Sequence, residues 1–178
     1  YAKLGVDIYI GNGHFVGNDR IQVAGPSGDR TLTFAKAAIC TGARASAPPM
    51  SGLQEAGYLT NETVFSLTDL PQRIGVIGAG PIGCELAQSF ARFGSQVYLV
   101  EAAHGIMPNE DRDAAEIIEQ QIARDGVKLL CCGKHLQVEK TEGGMRLTVG
   151  SHGSQYDVTV DELLVAVGRT PNVEGIGL

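Results

Sequence analysis

Three glycines, Gly78, Gly80 and Gly83, form the pattern Gly-x-Gly-x-x-Gly, whose spacing suits the binding of a pyrophosphate. The first glycine allows a tight turn, the second lets a phosphate approach the backbone, and the third lets a helix pack closely on a strand. The apolar run Arg73–Ile77 precedes the loop, and a helical pattern begins inside it. The N-terminus of that helix would present free N–H groups to the phosphates. The pattern therefore favours a dinucleotide-binding turn over a glycine-rich turn that binds nothing.

A carboxylate follows the next predicted strand, Gln96–Val100, at about the 20-residue distance expected for a group that binds ribose hydroxyls. This residue, Glu101, would repel a ribose 2′-phosphate, and no Lys or Arg follows it until Arg112. We therefore expect NAD(H) to be favoured over NADP(H). The predicted cofactor loop also includes the residues between and beside the glycines, which are Ala79, Pro81 and Ile82.

The elements around this loop predict an α/β fold. Ile82, Leu86, Phe90 and Phe93 recur at helical spacing as one buried stripe, and Gly94 is placed to end the helix. The further predicted elements are a helix at about 111–124, a strand at 127–132, three short strands at 135–140, 145–149 and 156–160, and a last strand at 162–167. This order predicts a Rossmann-like parallel sheet with a β-meander.

The N-terminal part of the chain shows a different pattern. Short strands are predicted at 6–10, 20–23 and 31–34, with an apolar strand at 37–40. Residues 43–70 are rich in Ala, Pro, Ser and Thr and are expected to form a surface connector with a short helix near 66–70.

Composition excludes several function classes. The chain has 178 residues, 43% of them hydrophobic, and a net charge of −6, which argues against nucleic acid or an anionic membrane as a partner. We see no apolar run long enough to span a membrane. Four irregularly spaced cysteines do not suit a disulfide scaffold, so we expect a reducing, cytoplasmic location.

Two segments of the chain resemble each other. Thr31–Leu53 and Asp157–Leu178 each run from a meander strand through an apolar strand to a Gly-Arg turn followed by proline. A chance match is the alternative. If the repeat is real, the first copy is a partial second nucleotide-binding domain, and Tyr1 is a cut in a longer protein.

Three motifs together resemble one family. Val76–Ala87 is similar to the NAD(P) loop of the FAD-dependent pyridine nucleotide–disulfide oxidoreductases. Thr41–Arg44 resembles the Thr-Gly strand end that closes the family's FAD domain, and Val167–Asn172 resembles the exit from its NAD domain. Mercuric reductases are the most similar branch, followed by dihydrolipoamide dehydrogenases.

The resemblance implies a homodimeric flavoenzyme in which a hydride passes from NAD(P)H to FAD and the electrons pass on to a disulfide or a metal ion. Residues 1–70 would be the C-terminal part of the FAD domain with a connector, 71–170 the NAD(P) domain, and 171–178 the return to the FAD domain. Without a complete flavin site, we expect the chain alone to be inactive. The alternative is a non-catalytic NAD-binding module or sensor.

The resemblance also implies roles for single residues. Glu85 matches the family's glutamate near the nicotinamide and the flavin, whereas its structural alternative is an exposed carboxylate in the first helical turn. Val167 and Gly168 match backbone positions that flank the nicotinamide, and Thr41 and Gly42 are assigned to cofactor binding in the FAD domain.

The chain departs from the family pattern in its cysteines, because the redox pair Cys-x4-Cys is absent. Cys131 and Cys132 are adjacent in a predicted core strand, and we expect both to be buried structural residues, like Cys40 and Cys84. The four histidines are scattered without ligand spacing, so no metal site is predicted.

Overall fold

The computed structural model describes residues 2–178, which form two compact units. The smaller unit runs to Arg44 and includes Pro171–Leu178, and the larger unit is Ala45–Thr170. The division therefore falls well before the predicted domain boundary at residue 71. The assignment of these parts to FAD and NAD(P) stays a prediction. Tyr1, the expected cut, lies outside the described residues.

The smaller unit is built on an antiparallel meander. It contains a short 3-10 helix, Ala2–Leu4, and the strands β1 (Asn12–Gly17), β2 (Arg20–Ala24) and β3 (Arg30–Thr33), paired in the order β1-β2-β3. Phe15 lies opposite Ile21 in the ladder and packs edge-on against Phe34, with 5.8 Å between ring centroids. The backbone N–H of Phe15 donates to the carbonyl of Ile176 at 2.7 Å, which joins the C-terminal segment to this unit.

Two predicted strands of the smaller unit are wrong. Residues 6–10 and 37–40 are not strands, whereas the predictions at 20–23 and 31–34 correspond to β2 and β3. A strand needs a hydrogen-bonded neighbour, and no described strand pairs with these two segments. Val6, Ile8 and Ile10 are accordingly exposed.

The remaining elements are β4 (Ala43–Ala45), α1 (Leu53–Ala56), a 3-10 helix (Val64–Ser66), β5 (Arg73–Ile77), α2 (Pro81–Phe93), β6 (Gln96–Val100), α3 (Arg112–Arg124), β7 (Lys128–Leu130), β8 (Lys134–Thr141), β9 (Gly144–Ser151), β10 (Ser154–Val160), β11 (Glu162–Val165) and β12 (Arg169–Pro171). From β5 to β11 these elements follow the predicted order, whereas β4, α1 and β12 were not predicted.

A four-stranded parallel sheet forms the centre of the larger unit, in the order β11-β5-β6-β7. In register, Val76 of β5 lies between Leu99 of β6 and Leu164 of β11, and all three side chains are fully buried. The predicted α/β class with a parallel sheet is confirmed. Because parallel strands share one carboxyl edge, the loops after β5, β6 and β7 begin at the same edge of this sheet.

Each face of the parallel sheet has its own cover. Strand side chains alternate between faces, so Leu164 packs with Ala87 of α2 and Ile122 of α3, while Leu163 packs on the other face with Leu147 of β9. The strands β8, β9 and β10 form the predicted antiparallel meander, in the order β10-β9-β8. Helices therefore cover one face of the sheet, and the meander covers part of the other.

The predicted stripe of α2 is confirmed in part. Leu86 and Phe90 are partly buried against the core, whereas Phe93 is 68% exposed. The fully buried residues of the helix are the small ones, Gly83, Cys84 and Ala87, and Gly83 lies against the carbonyl of Gly78. Gly94 ends the helix in a left-handed conformation, as predicted. None of the described helices is long and apolar enough to cross a membrane.

Residues 45–70 do not form a surface connector. Leu53 is fully buried, and Leu59 bridges to β11 in parallel: its N–H donates to the carbonyl of Leu163 at 2.7 Å, and its carbonyl accepts from Val165 at 2.9 Å. This segment therefore belongs to the larger unit, which explains why the observed boundary precedes residue 71. The short helix predicted at 66–70 is displaced to the 3-10 helix Val64–Ser66.

Candidate functional site

The glycine loop connects β5 to α2 at the carboxyl edge of the parallel sheet. Gly78 has a φ of 100°, which favours glycine, and its N–H donates to the carbonyl of Val100 at 2.8 Å. A Cβ at Gly78 would lie 2.6 Å from the carbonyl oxygen of Ala166, and one at Gly83 would overlap the carbonyl of Gly78. These two glycines are therefore required by close backbone packing.

Gly80 differs from the other two glycines because the space beside it is open. It precedes α2 with a φ of −73°, and a Cβ there would have no atom within 4 Å. Pro81 occupies the first helical position, and none of the described side chains caps this end of the helix. The first N–H groups of α2 are thus available to an anion, with the helix dipole adding positive potential.

Glu101 holds the glycine loop through its half-buried carboxylate. One carboxylate oxygen accepts a hydrogen bond from the N–H of Ala79 at 2.7 Å, and the other accepts from the N–H of Ala103 at 2.9 Å. Each oxygen retains a second lone-pair direction for another donor. The residue predicted to bind ribose therefore holds the glycine loop in place, a role that the sequence pattern did not reveal.

A cavity of about 720 Å³ opens at this edge of the sheet. Seven of the predicted cofactor residues line it, namely Gly78, Gly80, Pro81, Ile82, Glu101, Val167 and Gly168. Its other walls were not predicted and include Pro48, Met50, Asn61, Met107, Asn109, Glu110, Gly133 and Leu136. Its volume is in the range of ligand pockets. The missed residues come from loops that only the fold brings together, and no local motif marks them.

The other predicted residues of the larger unit lie beside the cavity wall. Ala79 is fully buried, and it contributes its N–H to Glu101. Gly83 is buried against the loop. Glu85 is the fifth residue of α2, just beyond its first turn. It is exposed and does not line the cavity, so its catalytic role stays a prediction.

Thr41 and Gly42 belong to the smaller unit, where they bind the C-terminal segment. The Thr41 hydroxyl donates to the carbonyl of Asn172 at 2.5 Å, and the Asn172 N–H donates to the carbonyl of Gly42 at 3.0 Å. Arg44 pairs there with Glu174 and holds the pKa of that exposed carboxylate down to about 2. The cofactor role of Thr41 and Gly42 stays a prediction.

Comparison with known proteins places this geometry in a family. Residues 1–178 match the family described as pyridine nucleotide-disulphide oxidoreductase. The chain belongs to this family. The expected resemblance and the Rossmann-type fold are thereby confirmed.

Relatives with several different names are similar to this chain. Mercuric reductase of Staphylococcus aureus is 30% identical over 176 residues, covering 99% of the chain and 31% of the relative. The probable pyridine nucleotide-disulfide oxidoreductase RclA of Escherichia coli is 32% identical, covering 93% and 37%. A dihydrolipoyl dehydrogenase of Staphylococcus aureus is 29% identical, covering 97% and 37%. The chain thus spans about a third of the length of these relatives.

Solved structures of the same family agree with the fold. The Cu(II) complex of the HOCl-induced flavoprotein disulfide reductase RclA from Escherichia coli aligns with a TM-score of 0.75 at 33% identity, covering 96% of the chain and 38% of that structure. LpdA from Mycobacterium tuberculosis aligns with a TM-score of 0.80 at 25% identity, covering 99% and 39%.

The cysteines of this oxidoreductase chain differ in environment. Cys84 and Cys131 are buried, as predicted. The prediction for Cys40 is wrong, because it is exposed and lies outside any strand. Cys132 is only half-buried, since β7 ends at Leu130 and the core strand predicted to include both adjacent cysteines stops before them.

Two of these cysteines lie beside two histidines. His104, Cys131, Cys132 and His152, here termed the Cys–His cluster, have ligand atoms that all lie within 4.8 Å of one another. The sequence analysis did not predict this arrangement, because the two histidines come from separate loops and show no ligand spacing along the chain. Adjacent Cys131 and Cys132 were the one local signal that could have suggested it.

Cys84 is expected to react slowly with iodoacetamide in the folded chain. Its thiol donates to the carbonyl of Ala79 at 3.3 Å, and burial, followed by the charges of Glu101 and Glu119, raises its pKa from 9.0 to about 11. The reactive thiolate is thus scarce below the folded pKa. Peptide mapping by mass spectrometry at pH 8 should show Cys40 alkylated well before Cys84, with the difference lost in denaturant. Equal rates in the folded chain would contradict the burial of Cys84.

The same pKa shift predicts a pH dependence of stability. Because the folded chain holds the Cys84 proton more tightly than the unfolded chain, the contribution is intact below pH 9.0 and is lost as pH rises toward about 11.

Proposed function

We propose that the larger unit is the NAD(H)-binding part of an FAD-dependent oxidoreductase. In the whole protein, the nicotinamide would supply a hydride to the flavin, and the electrons would pass on to a disulfide or a metal ion. One observation carries the proposal: the open N-terminus of α2 and the Glu101 carboxylate lie on the wall of one cavity at the carboxyl edge of a parallel sheet.

The residues present suit a dinucleotide. Gly80 leaves room for a pyrophosphate beside the N–H groups of α2, and the helix dipole stabilises its negative charge. Glu101 offers carboxylate oxygens to ribose hydroxyls while its bonds to two backbone amides keep it in place. Val167 and Gly168 form the wall after β11, where the family pattern positions the nicotinamide. These residues bind and orient the cofactor, whereas the redox chemistry is supplied by the nicotinamide and the flavin.

Glu101 also supports a preference for NAD(H). A 2′-phosphate at the ribose would lie next to this carboxylate and be repelled. Ala102, the next residue along the chain, lines the cavity and contributes no positive charge that would offset the repulsion. The names of the relatives range from mercuric reductase to dihydrolipoyl dehydrogenase. The proposed electron acceptor is therefore a disulfide or a metal ion.

A non-catalytic NAD-binding module is the second candidate. The observation in its favour is that every residue lining the cavity belongs to the larger unit, so the cavity itself includes no residue of a flavin domain. The two candidates differ in whether the whole protein carries a flavin. Both require that the larger unit binds NADH.

The test has two arms. The 178-residue chain, titrated with NADH by calorimetry, is expected to bind one equivalent and to show no NADH oxidation unless a flavoprotein is added. The whole protein, mixed anaerobically with NADH, is expected to lose its oxidised-flavin absorbance. Absence of NADH binding by the chain would overturn both candidates. Binding by a whole protein that carries no flavin would favour the module.

A further inference from the structure

The Cys–His cluster gathers four possible ligands from three separate turns. His104 lies in the loop after β6, Cys131 and Cys132 follow β7, and His152 lies in the turn between β9 and β10. The Sγ of Cys131 is 3.0 Å from Nε2 of His152, and the Sγ of Cys132 is 3.4 Å from Nδ1 of His104. The two imidazole rings stand edge to face, with centroids 6.1 Å apart. All four ligand atoms therefore point into one small volume.

The backbone is shaped to bring the adjacent cysteines together. In a regular strand, consecutive side chains point to opposite faces. Here the chain leaves β7 at Leu130 and Cys132 adopts a φ of 55°, a conformation that non-glycine residues seldom occupy. The Cys132 N–H donates to the carbonyl of Ala103 at 2.9 Å, and the hydroxyl of Ser151 donates to the carbonyl of Cys131 at 2.5 Å. These bonds tie the segments bearing the four side chains to one another.

We propose that the Cys–His cluster is a tetrahedral binding site for a thiophilic divalent metal ion, with Zn²⁺ as the representative ion. Two thiolates and two neutral imidazoles form a Cys2His2 ligand set, a common set for structural zinc. Binding releases two thiol protons to solvent, and the two thiolate charges balance the ion's double positive charge. No oxidation or reduction takes place in this step.

The observed separations are compatible with such a centre. Zn–S bonds of about 2.3 Å and Zn–N bonds of about 2.0 Å place tetrahedral ligand atoms roughly 3.3–3.8 Å apart. Two Sγ–N pairs, at 3.0 and 3.4 Å, are near this range, and every pair lies within 4.8 Å. Closing the longest separation requires a shift of at most about 1 Å, and two of the four ligands, His104 and His152, are exposed side chains.

The ligand set also argues for the type of ion and the type of site. Soft thiolates with imidazoles select zinc or copper(I) over magnesium or calcium, which prefer oxygen ligands. With four protein ligands, no position remains for a substrate, so the site is structural and not catalytic. An ion there would link the loops after β6 and β7 to the β9–β10 hairpin.

Cobalt(II) substitution tests the geometry directly. The 178-residue chain, reduced and freed of metal by a chelator, is titrated with Co²⁺. One equivalent is expected to produce the visible d–d bands of a tetrahedral centre and a thiolate-to-cobalt charge-transfer band, and Zn²⁺ is expected to remove both. Zn²⁺ is also expected to raise the melting temperature of the metal-free chain, because it binds the folded state. Absence of a tetrahedral spectrum would overturn the proposal.

Variants assign the ligands. Removing a residue that only hydrogen-bonds to a metal ligand costs about 10–100-fold in metal affinity, and removing a ligand itself should cost at least as much. We therefore expect each of four variants to weaken Zn²⁺ binding at least about tenfold: His104→Ala, His152→Asn, Cys131→Ser and Cys132→Ser. The histidine variants alter exposed side chains, so they test the site even if Cys131→Ser fails to fold.

Two control variants lie in the smaller unit. Cys40→Ser and His14→Ala remove the same ligand types outside the cluster and are expected to leave zinc affinity unchanged. Unchanged binding in both histidine variants, or equal loss in the controls, would overturn the assignment. A disulfide between Cys131 and Cys132 that persists under reducing conditions, detected by mass spectrometry, would also overturn the assignment.

Discussion

Gly80→Ala is expected to weaken NADH binding by about 10- to 100-fold while leaving the chain folded. The added methyl group meets no protein atom within 4 Å, and the φ of −73° suits alanine, so stability should change by no more than about 0.5 kcal/mol. In the proposed binding mode, the methyl group would occupy the space of the pyrophosphate and separate it from the N–H groups of α2. Hydrogen bonds to a charged group are worth about 1.5–3 kcal/mol, which corresponds to that loss of affinity.

Gly83→Ala is the matched comparison, because it makes the same chemical change three residues later. Its Cβ would overlap the Gly78 carbonyl, so it should destabilise the chain by about 1–3 kcal/mol through overpacking. Urea unfolding and calorimetric titration with NADH measure the two effects separately. Equal NADH affinity in Gly80→Ala and the unaltered chain would mean that the cavity is not the pyrophosphate site.

The double variant Glu101→Ala/Ala102→Arg is expected to shift the NADH/NADPH affinity ratio toward NADPH by about 10- to 100-fold. In the proposed binding mode, the change removes a carboxylate that would repel the 2′-phosphate and adds a guanidinium that would pair with it. A charge-assisted pair of this kind is worth about 1.5–3 kcal/mol. Absolute affinity should fall for both cofactors, because the N–H groups of Ala79 and Ala103 lose their acceptor and the loop loosens.

Two single variants separate charge from position. Glu101→Gln removes the charge but keeps an oxygen acceptor, so it should shift the ratio less than the double variant. Glu110→Ala removes a carboxylate elsewhere on the cavity wall and should leave the ratio unchanged. Fluorescence titration of NADH and calorimetry of NADPH provide the ratio. An unaltered ratio in the double variant would mean that the ribose is recognised by other residues.

Some features of the fold were predictable because they depend on short-range chemistry. At Gly78 and Gly83 the loop requires close backbone contacts that only glycine allows, so these positions could be recognised from the sequence. The alternation of strands and helices from Arg73 onward follows from hydrophobic periodicity. Strand predictions failed where a segment with alternating hydrophobicity has no neighbouring strand to pair with. Val6–Ile10 alternates like a strand but has no hydrogen-bonded neighbour among the described residues.

Burial depended on packing that the sequence does not encode locally. Phe93 continues the helical stripe of α2 but is exposed, whereas the small residues Gly83, Cys84 and Ala87 are buried. Residues 45–70 have a loop-like composition, yet Leu53 and Leu59 join the core and the sheet of the larger unit. Cys40 follows apolar residues in the sequence, but its side chain is exposed in the fold.

By itself, the sequence determined the glycine loop, the acidic residue after the second strand of the parallel sheet, the parallel α/β order and the family. These features depend on local backbone geometry and on the periodicity of hydrophobic residues, and both are determined by residues that are close together in the sequence. Only the tertiary structure showed that Glu101 binds the backbone of the glycine loop and that Pro48, Met50 and Leu136 complete the cavity wall. It alone also showed that His104 and His152 lie beside Cys131 and Cys132. Those residues are distant along the chain, and they meet because parallel strands end at a common edge, where the β9–β10 turn also arrives.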